Sequence, residues 1–182
     1  MLKLDHLKKA VDNFGQKVMA DAKDNLTKSG HNFTGSLNNS LVSSGVKFSK
    51  NSMELGFSMN NYGAFIDKGV RGVGGVRQTT STFQRTNNKG KMWKQKGGKS
   101  PFSYKEGVKP SVKHFKDWSA SKGLNPFAVR EAVYRQGIAP TFFLTDAVKK
   151  NMPLFPQQVS EAFAFDVQST IDFIIKSNLK KR

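Results

Sequence analysis

Two stretches of helical apolar periodicity, one near each end, constrain this chain's fold more than any other feature. Near the N-terminus Leu4, Leu7, Val11, Phe14, Val18 and Ala22 recur at steps of three and four, which places them on one helix face. Lys, Asp and Asn fill the opposite face, where Asp5, Asp12, Asp21 and Asp24 read as solvated partners of lysine. Gly15 costs about 1 kcal/mol relative to Ala but leaves the period intact. Ser29-Gly30 is a stop, since Gly tolerates the left-handed conformation at a helix C-terminus. Near the other end Val159, Ala162, Phe163, Val167, Ile171, Ile174 and Ile175 keep the same steps, predicting a helix over 157–178.

Between these helices the pattern changes. Val46-Lys47-Phe48 and Met53-Glu54-Leu55-Gly56-Phe57 flank a polar Ser49-Lys50-Asn51-Ser52 and predict a β-hairpin. Asn61 to Gly69 forms a short aromatic turn or one-turn helix, with Asp67 in a turn-capping or ion-pairing role. Residues 71–110 have no sustained apolar period and are punctuated by glycine, which predicts a loop or arm. Helical signals return at Pro110-Ser111, where Val112, Phe115 and Trp118 share a face that places Trp118 in the core, up to Gly123. Asn125-Pro126 opens another short helix closed by Gly137. A third runs to about Asn151, and Pro153 and Pro156 mark a break before the last helix.

The charge is concentrated in the middle. The 182 residues carry a net +17, of which 71–135 holds 15 basic and 3 acidic residues. Such a field favours an anionic partner: nucleic acid, an acidic surface or an acidic protein. Lys89, Lys91, Lys94, Lys96, Lys99, Lys105 and Lys109 are spaced through the Gly-rich segment, with Trp93, Phe102 and Tyr104 among them. They are candidate contacts to DNA or to a protein partner, and the aromatics are candidate arm anchors. The ordering cost of roughly 1–2 kcal/mol per residue predicts an arm that becomes ordered only on a neighbouring subunit.

Chemistry is excluded rather than indicated. No cysteine is present, which removes disulfides, thiolate metal sites and a cysteine nucleophile. His6, His31 and His114 lie far apart in sequence, and no carboxylates cluster, so we expect no metal, no cofactor and no catalytic site. Gly97-Gly98-Lys99-Ser100 lacks the earlier glycine of a phosphate-binding loop, whose place is taken by Trp93. Gly72-Val73-Gly74 lacks the third glycine of a dinucleotide fingerprint, which falls at Arg77. No stretch approaches the roughly 18 apolar residues of a membrane span, and the start MLKLDHLKK has no apolar signal region. The expectation is a soluble protein made in a cytosol.

The order of short motifs resembles the tailed-bacteriophage neck, head–tail connector and tail-completion proteins. Thr34-Gly35-Ser36-Leu37-Asn38-Asn39-Ser40 is similar to that family's Thr-Gly-x-Leu-x-x-Ser motif. Tyr62-Gly63-Ala64-Phe65-Ile66-Asp67-Lys68-Gly69 resembles its Tyr-Ala-x-aromatic-aliphatic-acidic-x-Gly motif, with Gly63 in place of Ala and Asp67 where Glu is usual. Trp118, Lys122-Gly123 and the stretch from Arg130 to Gly137 resemble a Trp-containing helix and the short helix after it. Pro140-Thr141-Phe142-Phe143-Leu144 fits the Pro-x-Phe motif that leads into the final helices. The chain departs from the family in the long 71–110 segment and at Pro153 and Pro156. Thr34, Gly35, Leu37, Tyr62, Phe65, Gly69, Pro140 and Phe142 read as fold determinants: the glycines permit turns, Tyr62 and Phe65 fill core, and Pro140 sets the approach to a helix.

The expected architecture is α+β: a small, mainly antiparallel sheet packed by long N- and C-terminal helices, in one connector-like domain with 71–110 as a basic insertion. The resemblance implies a structural virion protein made in the bacterial host cytoplasm. It would form a homo-oligomeric ring, a dodecamer ahead of a hexamer, at the portal–tail junction around the DNA channel. Its partners would be the portal, neighbouring neck or tail proteins and, non-specifically, packaged DNA, with no membrane. The competing expectation is a stand-alone, non-specific nucleic-acid-binding protein of a phage or mobile element.

Overall fold

The N-terminal stripe forms α1, Asp5–Lys28, and its apolar face is the core of the molecule's helical part: Leu7, Val11, Phe14, Val18, Met19, Ala22 and Leu26 are all buried. The helix stops where the sequence says it should, with Ser29 as C-cap and Gly30 at φ +74°. The structure, a computed structural model, describes residues 3–30, 33–49, 52–74, 82–86, 92–96 and 100–179, with 82–86 and 92–96 described as backbone. Its architecture is α+β, with long terminal helices packing small antiparallel two-stranded sheets. The chain divides into two compact units, one made of Met1–Asn60 and Phe143–Arg182, the other of Asn61–Phe142.

In the first unit, α1 is followed by the single turn α2, Ser36–Ser40, and a hairpin of β1, Val42–Phe48, with β2, Met53–Ser58. The hairpin lies where the alternation puts it, pairing Val46 with Leu55 and Phe48 with Met53. β1 starts earlier than that alternation indicates, because a bulge between Ser43 and Val46 carries the ladder back to Val42. The Ser44 hydroxyl substitutes for the interrupted ladder, accepting from the Gly56 N–H at 3.1 Å and donating to the Gly56 carbonyl at 3.0 Å. The hairpin crosses α1 at Gly15, where an added Cβ would stand 2.7 Å from the Ser43 Oγ and 3.1 Å from a Leu55 methyl. The glycine that weakens the helix locally is thus the one that lets the strands approach it.

Helix α6, Phe143–Asn151, and the 25-residue α7, Phe155–Leu179, complete this unit, joined by a 3-10 turn over Met152–Leu154 at the Pro153–Pro156 break. Both pack on α1. Phe143 is fully buried and its carbonyl accepts from Asn25 Nδ2. The Phe155 ring lies 4.1 Å from that of Phe14, centroid to centroid.

The second unit contains α3, Gly63–Lys68; β3, Val70–Arg71; the hairpin of β4, Thr82–Thr86, with β5, Met92–Lys96; α4, Lys116–Ser121, preceded by a 3-10 turn over Val112–Phe115; α5, Pro126–Gln136; and β6, Gly137–Ile138, paired antiparallel with β3. The caps match their sequence signals. Ser111 Oγ accepts from the Lys113 N–H, and Asn125 Oδ1 from the Phe127 N–H at 2.8 Å. The β4–β5 ladder, from Thr82↔Lys96 to Thr86↔Met92, falls inside the loop-like stretch, which leaves room for a short hairpin whose position the sequence does not give.

Three expectations about core residues need correction. Trp118 is 40% exposed, and the fully buried residue of its helix is Ser119, whose hydroxyl donates to the Phe115 carbonyl. The helix begins with a 3-10 turn, and the change of pitch rotates Trp118 off the face shared by Val112 and Phe115. Tyr62 and Phe65 are also exposed rather than core, at 43% and 40%. The six-residue α3 buries Gly63 and Asp67 and turns its aromatics outward. Phe65 keeps one edge-on contact with Phe102, at 4.5 Å.

Candidate functional site

Two of the sequence motifs, some seventy residues apart, meet in the second unit. The carbonyls that end α3 are taken up by the segment after Pro140. The Thr141 N–H and hydroxyl both donate to the Ile66 carbonyl, at 3.0 and 2.9 Å, and the Phe142 N–H donates to the Asp67 carbonyl at 2.9 Å. Gly69 sits between them at φ +72°. A Cβ there would stand 2.6 Å from the Ile138 carbonyl oxygen and 2.8 Å from Pro140 Cδ, so only glycine fits. Phe142 has φ +53°, a left-handed conformation that costs a non-glycine residue about 1–2 kcal/mol and that the bond to Asp67 holds in place. Pro140, Thr141 and Asp67 are buried. The third motif lies in the first unit. Gly35, at φ +70°, starts α2, Thr34 Oγ1 accepts from the Ser36 N–H, and Leu37 is 3% exposed.

The basic segment falls into two parts. Lys89, Lys91 and Lys99 lie outside the described residues, and Lys94, Lys96 and Trp93 are described only as backbone in β5. The arm's order in the free chain, which concerns mainly these residues, also lies outside the described part. Residues 100–109 are tied into the second unit. Arg71 is their hub, donating its N–H to the Phe102 carbonyl and accepting from the Tyr104 N–H, both at 2.9 Å. The Ser100 hydroxyl donates to the Gly69 carbonyl at 2.7 Å, and the Gly107 N–H to the Tyr134 hydroxyl, also at 2.7 Å. Phe102 packs on Phe65, and Tyr104 lies 6.1 Å from Tyr134, so both aromatics find partners within their own chain. Burial pushes the Tyr104 hydroxyl above its ordinary 10.0.

Lys105 is exposed, whereas Lys109 is engaged: its ammonium is 2.8 Å from Glu131 and 5.7 Å from the centre of the Tyr134 ring. Glu131 also holds Arg135 at 2.9 Å. The hydrogen bond from Lys109, then that from Arg135, keeps the Glu131 carboxyl below its ordinary value of 4.5. One carboxylate therefore neutralises part of the basic excess, and Lys105, Lys113, Lys116 and Lys122 are exposed on the surface. Arg71 and Arg130 each carry a buried Nε with no hydrogen-bond partner among the described residues.

The residues the sequence reading misses are polar ones that join helices. Asp166, 2% exposed, accepts from the backbone N–H groups of His6 and Leu7 at 3.0 and 2.8 Å and contacts His6 Nδ1 at 2.8 Å. It caps α1, whose own N-cap residue Leu4 supplies no side-chain bond, from 160 residues away. Burial acts to raise its pKa, but the bonds from Leu7 and His6 outweigh it, and the carboxyl is held below the ordinary 3.8. A lone carboxylate in the apolar run Ala162-Phe163-Ala164-Phe165-Asp166-Val167 is the signal that could have found it. Asp21 and Asp12 are likewise tertiary contacts rather than merely solvated. Asp21 accepts from Lys150 at 2.7 Å and Asn151 at 2.6 Å, and these bonds hold its carboxyl below 3.8. Asp12 accepts from the Val46 N–H at 3.2 Å.

Among the described residues no group of three or more His, Asp or Glu could hold a metal ion, and no helix is long and apolar enough to cross a membrane. Compared with protein-family models, with curated proteins and with solved structures, the chain matches none.

Proposed function

We propose that this protein is a structural component of a tailed-phage particle, forming a ring at the portal–tail junction around the channel through which DNA passes. The observation that carries the reading is the junction of the two motifs. Residues 62–69 and 140–142, which the resemblance singles out for separate reasons, bond to one another and fit together around Gly69. Motif residues that build a fold rather than line a pocket suit a protein that acts through its surfaces. Large exposed apolar side chains, among them Phe33, Val42, Phe127 and Leu154, suit a subunit that is buried further in an assembly. The ring would be homo-oligomeric, with portal and tail proteins above and below and the lysine-rich surface facing DNA phosphate or an acidic neighbour. Positive charge in a channel must be moderate, since tightly held phosphates would retard DNA exit. The pairing of Lys109 with Glu131 is in keeping with that limit.

Quantitative mass spectrometry of purified tailed particles from the host that carries this sequence tests the proposal: the protein is expected at a fixed copy number. The concentration of charge in 71–135 favours one other reading, a free non-specific nucleic-acid-binding protein. That reading predicts absence from particles and tight DNA binding by the isolated chain, with a steep fall in affinity as salt rises.

A further inference from the structure

Helices α4 and α5 are joined by Lys122, Gly123, Leu124 and Asn125, and the backbone of this joint is fixed on both sides. On the α4 side the Lys122 and Leu124 N–H groups both donate to the Ser119 carbonyl, at 3.1 and 2.8 Å. The Gly123 N–H donates to the Ala120 carbonyl, with Gly123 at φ +63°. On the other side Asn125 caps α5. A helix stop of this kind commonly folds its next apolar residue back onto the helix. Leu124 does not fold back and is 48% exposed. Phe127 is 60% exposed, and Trp118, one turn before the stop, 40%. The joint therefore holds three large apolar side chains in water on an ordered backbone. Their surroundings are basic. Over residues 111–130 the charged side chains are Lys113, Lys116, Lys122 and Arg130 against Asp117 alone. The three lysines are exposed, and the Arg130 guanidinium lies over the Phe127 ring, 5.7 Å from its centre.

We infer that the α4–α5 joint docks on a different protein of the particle, one whose surface offers an apolar recess ringed by carboxylates. An apolar centre inside a charged rim is the anatomy of a protein–protein contact, where aromatic residues and arginine are enriched. The lysine rim selects an acidic counterpart by charge complementarity. A DNA duplex would meet the lysines but gives Leu124 and Phe127 nothing to pack on, because its outer surface is phosphate and its bases are stacked inside. An anionic lipid surface would have to take up Lys122 and Asn125, which flank Leu124, and Asp117, next to Trp118, together with the apolar groups. A second copy would bring another chain of net charge +17 against the same basic surface. Resting on the particle reading, this assignment decides between DNA and an acidic neighbour at one named surface.

Amine acylation and zero-length carbodiimide coupling of purified tailed particles, read by peptide mass spectrometry with the free chain as reference, test it. Lys116 and Lys122 are expected to acylate roughly tenfold more slowly in particles than in the free chain, and carbodiimide to couple them to Asp or Glu of another protein. Equal acylation in the two states overturns the inference. So does protection that disappears from particles that have ejected their DNA, which makes DNA the occupant, and so does coupling only to a second copy of this chain. Protection of the free chain by phosphatidylglycerol vesicles, with none in particles, assigns the surface to lipid instead. The double variant Leu124→Ser/Phe127→Ser should melt as wild type does, since neither side chain is buried, and enter particles roughly tenfold less. Lys116→Arg/Lys122→Arg should enter as wild type does. Undiminished entry of the folded serine variant would refute this contact and leave the particle reading standing. Particles that lack the wild-type chain would overturn both.

Discussion

The two units of this molecule are held together by different means. The unit of Met1–Asn60 and Phe143–Arg182 has a packed apolar core, with Leu26, Val18, Ala22, Phe143 and Ala147 fully buried around α1. In the unit of Asn61–Phe142 the buried apolar side chains among the described residues are few, Val70, Tyr134 and Pro140, beside buried Asp67, Ser119 and Thr141. Its order comes from backbone crossings instead: Arg71 to Phe102 and Tyr104, Ile66 and Asp67 to Thr141 and Phe142. Most of the positive charge lies there too. With few apolar side chains buried among its described residues, this unit is organised by hydrogen bonds and by glycines that let strands come close. The first unit should therefore be sensitive to side-chain volume, and the second to the addition of a single Cβ.

The largest effect is expected in the packed unit. Phe143→Ala should lower stability by about 3–5 kcal/mol, read by urea denaturation; a loss below ~1 kcal/mol would remove the contrast between the units. Next comes Gly69→Ala, where one methyl group meets the Ile138 carbonyl at a backbone φ of +72°. A loss of about 2–3 kcal/mol is expected. Both tryptophans, Trp93 and Trp118, lie in that unit, so their fluorescence reports its transition.

Asp166→Ala should cost about 1–2 kcal/mol through the lost cap, with a defined pH dependence. Because the folded-state pKa is lowered, the stabilisation is fully present above the unfolded value near 3.8 and is lost as the pH falls below it through the folded value. The difference in stability between wild type and variant should thus be constant at neutral pH and shrink below 3.8. A difference that grows on acidification would show that the carboxylate is not the stabilising species. The smallest effect belongs to Trp118→Ala. With the ring 40% exposed, a change of about 1 kcal/mol or less is expected, and a shift comparable to that of Phe143→Ala would put the indole back in the core.

How much of this was legible in the sequence follows the same division. Long apolar periods fix α1 and α7 nearly to the residue, because a helix that buries one face must repeat it. Caps at Ser111 and Asn125 are equally local signals. Trp118, Tyr62 and Phe65 are exposed against expectation because their helices are too short for periodicity to identify a buried face, and a 3-10 turn shifts the phase at Trp118. The β4–β5 hairpin has no position in the sequence pattern because Thr82-Phe83-Gln84-Arg85-Thr86 and Met92-Trp93-Lys94-Gln95-Lys96 lack a simple apolar alternation. Asp166 illustrates the remaining limit: its partners, His6 and Leu7, lie 160 and 159 residues away, and no local rule connects them. Of the candidate contact residues, sequence spacing could not tell that Lys109 is paired with Glu131 while Lys105 is exposed, since pairing depends on where α5 lies.

The central claim, that the chain serves as a ring subunit rather than a free nucleic-acid-binding protein, is tested most directly by cryo-electron microscopy of intact tailed particles from the host that carries it. The expected map shows a ring of copies at the portal–tail junction, with the lysine-rich part of the Asn61–Phe142 unit facing the DNA channel or an acidic neighbouring ring. Particles whose junction is complete without this chain would contradict the account.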